Sequence, residues 1–516
     1  MKFVSDPDIA VKIDRMKRRV RWQSEQIANR AIDQTKLVID SQNTDNPDFS
    51  FVVIGDSGCG SHLKHNPQRQ IAEMMLQHDD AGFVIHTGDV VYQVGSSEYY
   101  HQNFIHPYRE FIVGGEKPGQ IAYDRLTFKS PFFLVPGNHD YYDLPLIYGI
   151  LAQATWLPRR LLRGKIDLDV GWHGSNQGEA YARAFLDYLS GMDSARLQQH
   201  LDTHYQANHA GDRCLNYQPG EFTRLPNRYY TFRYGGIDFF ALDSNTFNQP
   251  LKIPDTEEGA DLRGKLLSRQ HKLEEKEQKI QAALDKLDPH DSQEADQIDD
   301  YYAQLEHIAE SQRDIDKQLN QEQETTDWEQ LEWFENSLIA SWQDENVRGR
   351  VVFFHHPPYV TEATKWHQGQ TLAVRDRLRQ VFDDASQKID IPPGRSMVDL
   401  VLSGHAHCLE HLRTKDTGYA DSHIDWIVCG GSGHSLRRQR QEGTVIYQNA
   451  DLDSEPIGQS HLFVGRNGKR KNRKRPYSFL RIDVKAGDKP QFTVNPHIAE
   501  RYQNQWREYA IKPFVI

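Results

Sequence analysis

A chain of 516 residues with a formal net charge of −12 carries too much acid for general nucleic-acid binding. Its four cysteines make no disulfide framework in so long a chain, and no apolar run approaches the length of a membrane span. The length allows two or three domains, although large α/β enzymes also run this long as one domain with insertions.

Residues 9–39 read as a charged amphipathic helix, with Ile9, Ile13, Met16, Val20 and Ile27 at near-helical spacing, docked on the body that follows. Residues 1–45 are therefore expected to form an N-terminal helical segment. No apolar stretch follows Arg18 and Arg19, so no export signal is readable and a cytoplasmic location is expected. The turn-forming TDNPD at 44–48 leads into an apolar strand, Phe51 to Ile54, which Gly55 breaks to leave Asp56 at its end. Pro67 opens a helix, and a second strand, Phe83 to Ile85, leads to Gly88, Asp89 and Tyr92. A third, Phe132 to Val135, leads to Gly137, Asn138, His139 and Asp140.

From Leu144 to Arg228 the chain is rich in aromatics and helix formers. It reads as an inserted cap that returns to the sheet near Tyr229 and sets substrate choice through Arg159, Arg160, Arg163, Lys165 and His173. A β-hairpin around Gly235 and Gly236 then closes the first half of the body, 46–254. Between 255 and 326 the composition shifts to Glu, Gln, Lys, Asp and Leu. Leu266, Leu273, Ile280 and Leu287 recur every seven residues, and Ile298, Tyr301, Leu305, Ile308, Ile315 and Leu319 follow spacings of three and four, with Gln312 filling one seam position. The proline break in DPHDS at 288–292 separates the two arms of a charged coiled-coil hairpin. Its expected place is apart from the catalytic core, where it is free to self-associate or meet a protein partner.

The second half of the body, 327–516, opens with a helix at WEQLEWFENSL. A fourth strand then ends at His355 and His356 and a fifth at His405 and His407. Cys59 and Cys408, beside these motifs, read as small buried residues. The basic run at 465–475 reads as a solvated loop, with contact to nucleic acid as the alternative; a last strand, YSFLRIDV, follows it.

Five times, then, an apolar strand and a small residue deliver an oxygen or nitrogen donor. Carboxylates at buried strand ends are costly unless a cation compensates them. The set GD, GD, GNHD, H and GHAH resembles the calcineurin-like metallophosphoesterases. Most of that superfamily has a His two residues after the first Asp, where this chain has Gly58. With Tyr92 in the second motif, the pattern is similar to the purple acid phosphatase branch, whose Tyr binds ferric iron.

The resemblance covers about 50–250 and 327–490 and implies a four-layer αββα sandwich of two mixed sheets, an α/β fold, with the helical hairpin inserted. It further implies two metal ions. One, Fe(III), would be held by Asp56, Asp89, Tyr92 and His407; the other, a divalent Fe, Zn or Mn, by Asp89, Asn138, His355 and His405. The His-x-Pro pattern at 355–357 selects His355 over His356 as ligand. His139 is the expected proton donor, with Asp140 orienting it and His356 a second such group. The implied activity is hydrolysis of phosphomonoesters by a metal-held hydroxide. A phosphodiesterase or nuclease on the same centre is the alternative, and a scaffold acting through the hairpin a further one.

Overall fold

The computed structural model describes residues 4–41, 44–58, 66–144, 174–209, 211–287, 292–321, 324–448, 454–468, 472–502 and 505–516. Cys59, the five basic residues expected to line a cap, most of DPHDS and the middle of the basic run, 469–471, lie outside the described residues.

Twin mixed sheets form the body. The first runs, in spatial order, from β12 (Gln505–Ala510) through β11 (Gln491–Tyr502), β10 (Lys474–Lys485), β1 (Phe49–Ile54) and β2 (Phe83–His86) to β3 (Phe132–Leu134). Strands β1, β2 and β3 are mutually parallel, and the rest join antiparallel. The second sheet places β8 (Leu409–Thr414), β9 (Asp425–Cys429), β7 (Leu400–Ser403), β6 (Gly349–Phe353), β5 (Ile237–Ala241) and β4 (Tyr230–Tyr234) side by side. Here β5, β6, β7 and β9 are mutually parallel, and β4 and β8 join antiparallel at either end.

Strand periodicity assigns each side chain to a core. Phe239, Val351, Phe353, Leu400 and Leu402 face the other sheet, and the alternate residues Phe240, Val352, Phe354 and Val401 face outward. Between the sheets Phe133 stacks on Phe232 at 3.9 Å, and Phe51 meets Phe239 edge-on at 5.6 Å. Each such buried ring contributes about 1.5–3 kcal/mol by leaving water.

Helices cover the outer faces. On the first sheet lies α2 (Pro67–Met75), started by Pro67 and capped by Asn66, whose Oδ1 accepts from the Arg69 N–H at 2.9 Å. On the second lie α5 (Trp328–Gln343) and α6 (Gly369–Ser386), through Leu331, Phe334, Leu338, Val374, Leu378 and Phe382. The molecule is thus the expected αββα sandwich. The insertion forms two 28-residue helices, α3 (Glu257–Leu284) and α4 (Ser292–Leu319), which meet through Leu266, Leu273, Ile315 and Leu319. Gln312 of α4 donates to Glu277 of α3 at 3.3 Å.

Three expectations are corrected. The N-terminal helix is shorter than 9–39: α1 (Ile9–Arg19) ends before left-handed residues Arg21 and Gln23, and Ile32–Ile39 is a strand beside β4. Its β-branched and apolar residues fill an inter-sheet position that local periodicity did not reveal. For the same reason the chain returns to the sheet before Tyr229, because Asp212–Tyr217 pairs in parallel with that early strand. The strand after the basic run is not the last, since β11 and β12 extend the sheet beyond it.

Candidate metal centre

All five donor stretches leave the carboxyl ends of parallel strands: Asp56 after β1, Asp89 after β2, Asn138 after β3, His355 after β6, and His405 and His407 after β7. The two sheets present these ends on one edge of the sandwich, where loops converge. Asp56, Asp89 and His405 take left-handed backbone conformations, with φ of 51°, 56° and 64°. Such positions cost of order 1–3 kcal/mol each and persist only when their surroundings over-determine them. Here the surroundings interlock. The His405 N–H donates to Asp56 at 2.8 Å, the His139 N–H to Asp89 at 2.9 Å, and the Asp56 N–H to the Gly88 carbonyl at 2.9 Å. A side chain on Gly88 (φ +100°) would put its Cβ 2.6 Å from His355 Nδ1.

The donor atoms converge. Tyr92 Oη lies 3.0 Å from Asp56 Oδ1, 2.7 Å from Asp89 Oδ2 and 3.2 Å from His407 Nε2. His355 Nε2 lies 2.9 Å from Asn138 Oδ1 and 3.4 Å from Asp89 Oδ2. Donor atoms of Asp56, Asp89 and His355 fall within 4.8 Å of one another, and so do those of His355, His356 and His405. The tautomers are set from behind. His355 Nδ1 donates to the Thr87 carbonyl at 2.8 Å and His407 Nδ1 to that of Ser435 at 2.9 Å, so both Nε2 atoms turn inward.

These residues fit a cation. One phenolic hydrogen cannot serve two carboxylates and an imidazole lone pair, and all of these groups are buried. Burial pushes Asp56 up to about 7, Asp89 adding to the rise against the opposing pull of His355. Burial works against Asp89 too and is the largest single effect, but His355, His139 and the hydrogen bond from Tyr92 together outweigh it and hold that carboxyl far below its ordinary range. Burial, then Asp56 and Asp89, raise Tyr92 well above the phenol range, so a phenolate here needs a strong positive neighbour. His405 and His407 are driven far down, first by burial and then by Lys365 and Arg437 respectively, and neutral imidazoles are what a metal requires. At Gly58 a Cβ would come within 2.6 Å of the Val90 carbonyl and 3.0 Å of the Tyr92 nitrogen. The Tyr92 loop therefore fills the space a side chain at 58 would need.

His139 Nδ1 donates to the Gln93 carbonyl at 2.6 Å, leaving Nε2 facing the pocket without a hydrogen-bond partner among the described residues. Burial lowers its pKa, but Asp89 and then Glu310 more than compensate, for a net rise. The orienting role expected of Asp140 therefore falls to Gln93. The Asp140 carboxylate instead accepts from Gly137 N at 2.9 Å and Val90 N at 3.3 Å, tying two donor loops together. His356 is also corrected as a proton carrier: its Nδ1 meets Ser244 Oγ at 2.8 Å and its Nε2 the Asn248 amide at 3.1 Å, so both nitrogens are engaged. It supports the pocket wall beside His405.

Sequence reasoning missed four residues of the pocket. His434, in the turn after β9, stacks on the Tyr92 ring at 3.8 Å with the planes 1° apart. The same strand-then-glycine signal that marked the other donors precedes it. Lys365 and Arg437 reach the pocket from loops with no such signal. Gln93 acts through its carbonyl, which no side-chain pattern reports.

The larger correction concerns the hairpin, whose α4 does not stand apart. Glu306 accepts from His434 at 2.9 Å and meets Arg437 at 3.3 Å. Glu310 pairs with Lys365 at 2.8 Å and lies 3.7 Å from His139 Nε2. Asp314 accepts from the Gly369 and Gln370 N–H groups at 3.0 and 3.2 Å and so caps α6. Residues 306, 310 and 314 are four apart, one face of a helix, and that face is buried.

No family model and no curated protein matches the chain. Solved structures do. It is similar to GAP50, described as the anchor in the inner membrane complex of Plasmodium (11% identity, 90% of this chain and 88% of that one, TM-score 0.38). It is similar to purple acid phosphatase PPD1 from yellow lupin (Lupinus luteus) seeds, at 12% identity over 92% of this chain and 54% of that one, TM-score 0.40. PhoD matches at 13% identity over 92% of this chain and 70% of that one, TM-score 0.40. Among the described residues no helix is long and apolar enough to cross a membrane.

Proposed function

We propose that the chain is a binuclear metal-dependent phosphoesterase acting on phosphomonoesters. The observation that carries this reading is Asp89, whose carboxylate is shared between two buried donor groups. Its Oδ2 lies 2.7 Å from Tyr92 Oη, which also meets Asp56 and His407, and 3.4 Å from His355 Nε2, which also meets Asn138. His405 joins the second group through its place beside His355, ring centroids 5.0 Å apart. Phenolate and carboxylate oxygens suit Fe(III) in the first group, and imidazole and amide suit divalent Fe, Zn or Mn in the second. Bound there, the ions supply Lewis acidity toward phosphoryl oxygens and lower the pKa of coordinated water.

The chain's own residues supply the rest. His139, fixed through Nδ1 by Gln93, presents Nε2 to the pocket and is placed to deliver a proton to a leaving oxygen. The His434 ring holds Tyr92 flat, and the His405 N–H holds Asp56 in its left-handed turn.

Elemental analysis of the purified protein, paired with hydrolysis of p-nitrophenyl phosphate and of its bis-ester, tests this reading. Two metal equivalents including iron, a visible phenolate-to-iron absorption lost in Tyr92→Phe, and faster turnover of the monoester are expected. Absence of both metal and hydrolysis would overturn it. A metal-loaded protein that prefers the bis-ester would make it a phosphodiesterase, and an active colourless enzyme holding only Zn or Mn would remove the iron assignment alone.

A further inference from the structure

The pocket beside the donor cluster is ringed by basic groups from the catalytic body, and each faces a carboxylate from α4. Lys365 is 1% exposed and its partner Glu310 is 6% exposed, so this is an ion pair withdrawn from water. Arg437 and His434 are each 8% exposed and converge on Glu306. His139 Nδ1 is committed to Gln93, so only Nε2 can reach a substrate, and the Glu310 carboxylate sits in front of it. The remaining cavity, between His405, Gln370, Tyr142 and α4, measures about 10 Å³. That is room for about one water and far less than a phosphoryl group needs.

Burying Lys365 and Arg437 next to a metal centre is costly unless an anion belongs with them. In this structure the anions are Glu306 and Glu310, one helical turn apart, each carrying two oxygens at the reach of a phosphoryl group. Their helix is not part of the sandwich. It belongs to an insertion that enters and leaves the body between β5 and α5. Its attachments are mainly polar: the two glutamates, the Asp314 cap on α6, Lys317 paired with Asp6, which is itself held by Lys12 at 2.7 Å, and Arg313 over the Tyr142 ring at 5.0 Å, beside an apolar contact of Ile315 with Ile253.

We propose that Lys365, Arg437 and His434 form the anion subsite that receives the phosphoryl oxygens of a dianionic ester, beside the proton donor His139, and that Glu306 and Glu310 are its built-in occupants. The α4 helix is then an internal plug, and substrate enters when the hairpin moves away from the body. The inference rests on the phosphoesterase reading above, and names where the substrate's charge is bound and what competes with it.

Titration of the metal-loaded 516-residue chain with inorganic phosphate, alongside p-nitrophenyl phosphate kinetics, tests it. Glu306→Gln with Glu310→Gln keeps the shape of the plug and removes its charge. Phosphate binding at least tenfold tighter and a matching rise in kcat/KM are expected. Adding Lys365→Ala to that variant should abolish the gain, which mere loosening of the helix would not explain. Lys317→Ala, which breaks the ion pair to Asp6 and leaves both glutamates in place, should give a smaller gain of the same sign. Unchanged or weaker phosphate binding in a metal-loaded glutamate variant would overturn the plug and leave the phosphoesterase intact. So would a fall in kcat at unchanged KM, since it would make Glu310 a partner of His139 in proton transfer. A wild type that takes up no metal would overturn both readings.

Discussion

Two buried, charged regions face each other across the pocket, and they are held in different ways. Tyr92 apart, the donor cluster sits within four residues of the ends of parallel strands, with Asp56, Asp89 and His405 in left-handed backbone and the two carboxylates among them pinned by neighbouring N–H groups. Moving one of them means breaking a sheet. The α4 carboxylates sit on a helix joined to the body by ion pairs, one helix cap, the Arg313–Tyr142 contact and the packing of Ile315 on Ile253. Buried ion pairs have net energies near balance, because lost hydration cancels much of their attraction. Equal burial therefore conceals unequal rigidity: the strand ends are built to stay and the helix can leave.

The largest break in this contrast comes from the strand side. Asp89→Ala removes the carboxylate common to both donor groups. Metal content should fall to background by elemental analysis, with hydrolysis lost. His139→Ala should keep both metals and lower kcat by about 10²–10⁴, the usual worth of a positioned general acid. The loss should shrink for leaving groups that need no proton; equal losses across leaving groups would assign His139 to binding instead.

Smaller effects sharpen the helix side. Asp314→Ala takes the cap from α6 and should cost about 1 kcal/mol of stability, read as a lower midpoint in denaturant. The pH response has a definite sign. Burial raises the Glu306 carboxyl, but His434 and Arg437 overcome it and hold its folded pKa well below the ordinary range. Its contribution to docking is therefore fully present above the unfolded carboxyl pKa of about 4.3, and is lost only as pH falls further. Hydrogen exchange along α4 should stay protected between pH 7 and 5, and early loss would show that another group governs release. Least of all, Glu274→Gln with Glu275→Gln on α3 should leave phosphate affinity within about twofold. These side chains are 55% and 54% exposed and make surface contacts, to His271 and, for Glu275, to Lys279 as well.

Much of the centre was legible because its chemistry is local to strand ends. An apolar run fixes where a strand stops, a small residue lets the chain turn, and the donor follows within three or four residues. Reading Asp56, Asp89, Asn138, His355 and His405 therefore needed only near neighbours. Tyr92 needed one step more, the absence of a side chain at Gly58, and the Val90 carbonyl supplies the physical reason.

Other features depended on docking that no periodicity records. Ile32–Ile39 carried helical spacing on its N-terminal side and became a strand because a place beside β4 was available to it. Asp140 and His356 have the right chemistry next to the right motifs, but their atoms are taken by Gly137, Val90, Ser244 and Asn248. The sequence of α3 and α4 determined that two helices form and that their apolar seams meet. It did not determine which polar face turns inward. Glu306 and His434 are 128 residues apart, and their contact depends on how the whole insertion leans on the body. Helical pattern is set by residues three and four apart, so it specifies a face. Only the tertiary structure, by bringing Lys365, Arg437 and His434 against that face, decided what it is for.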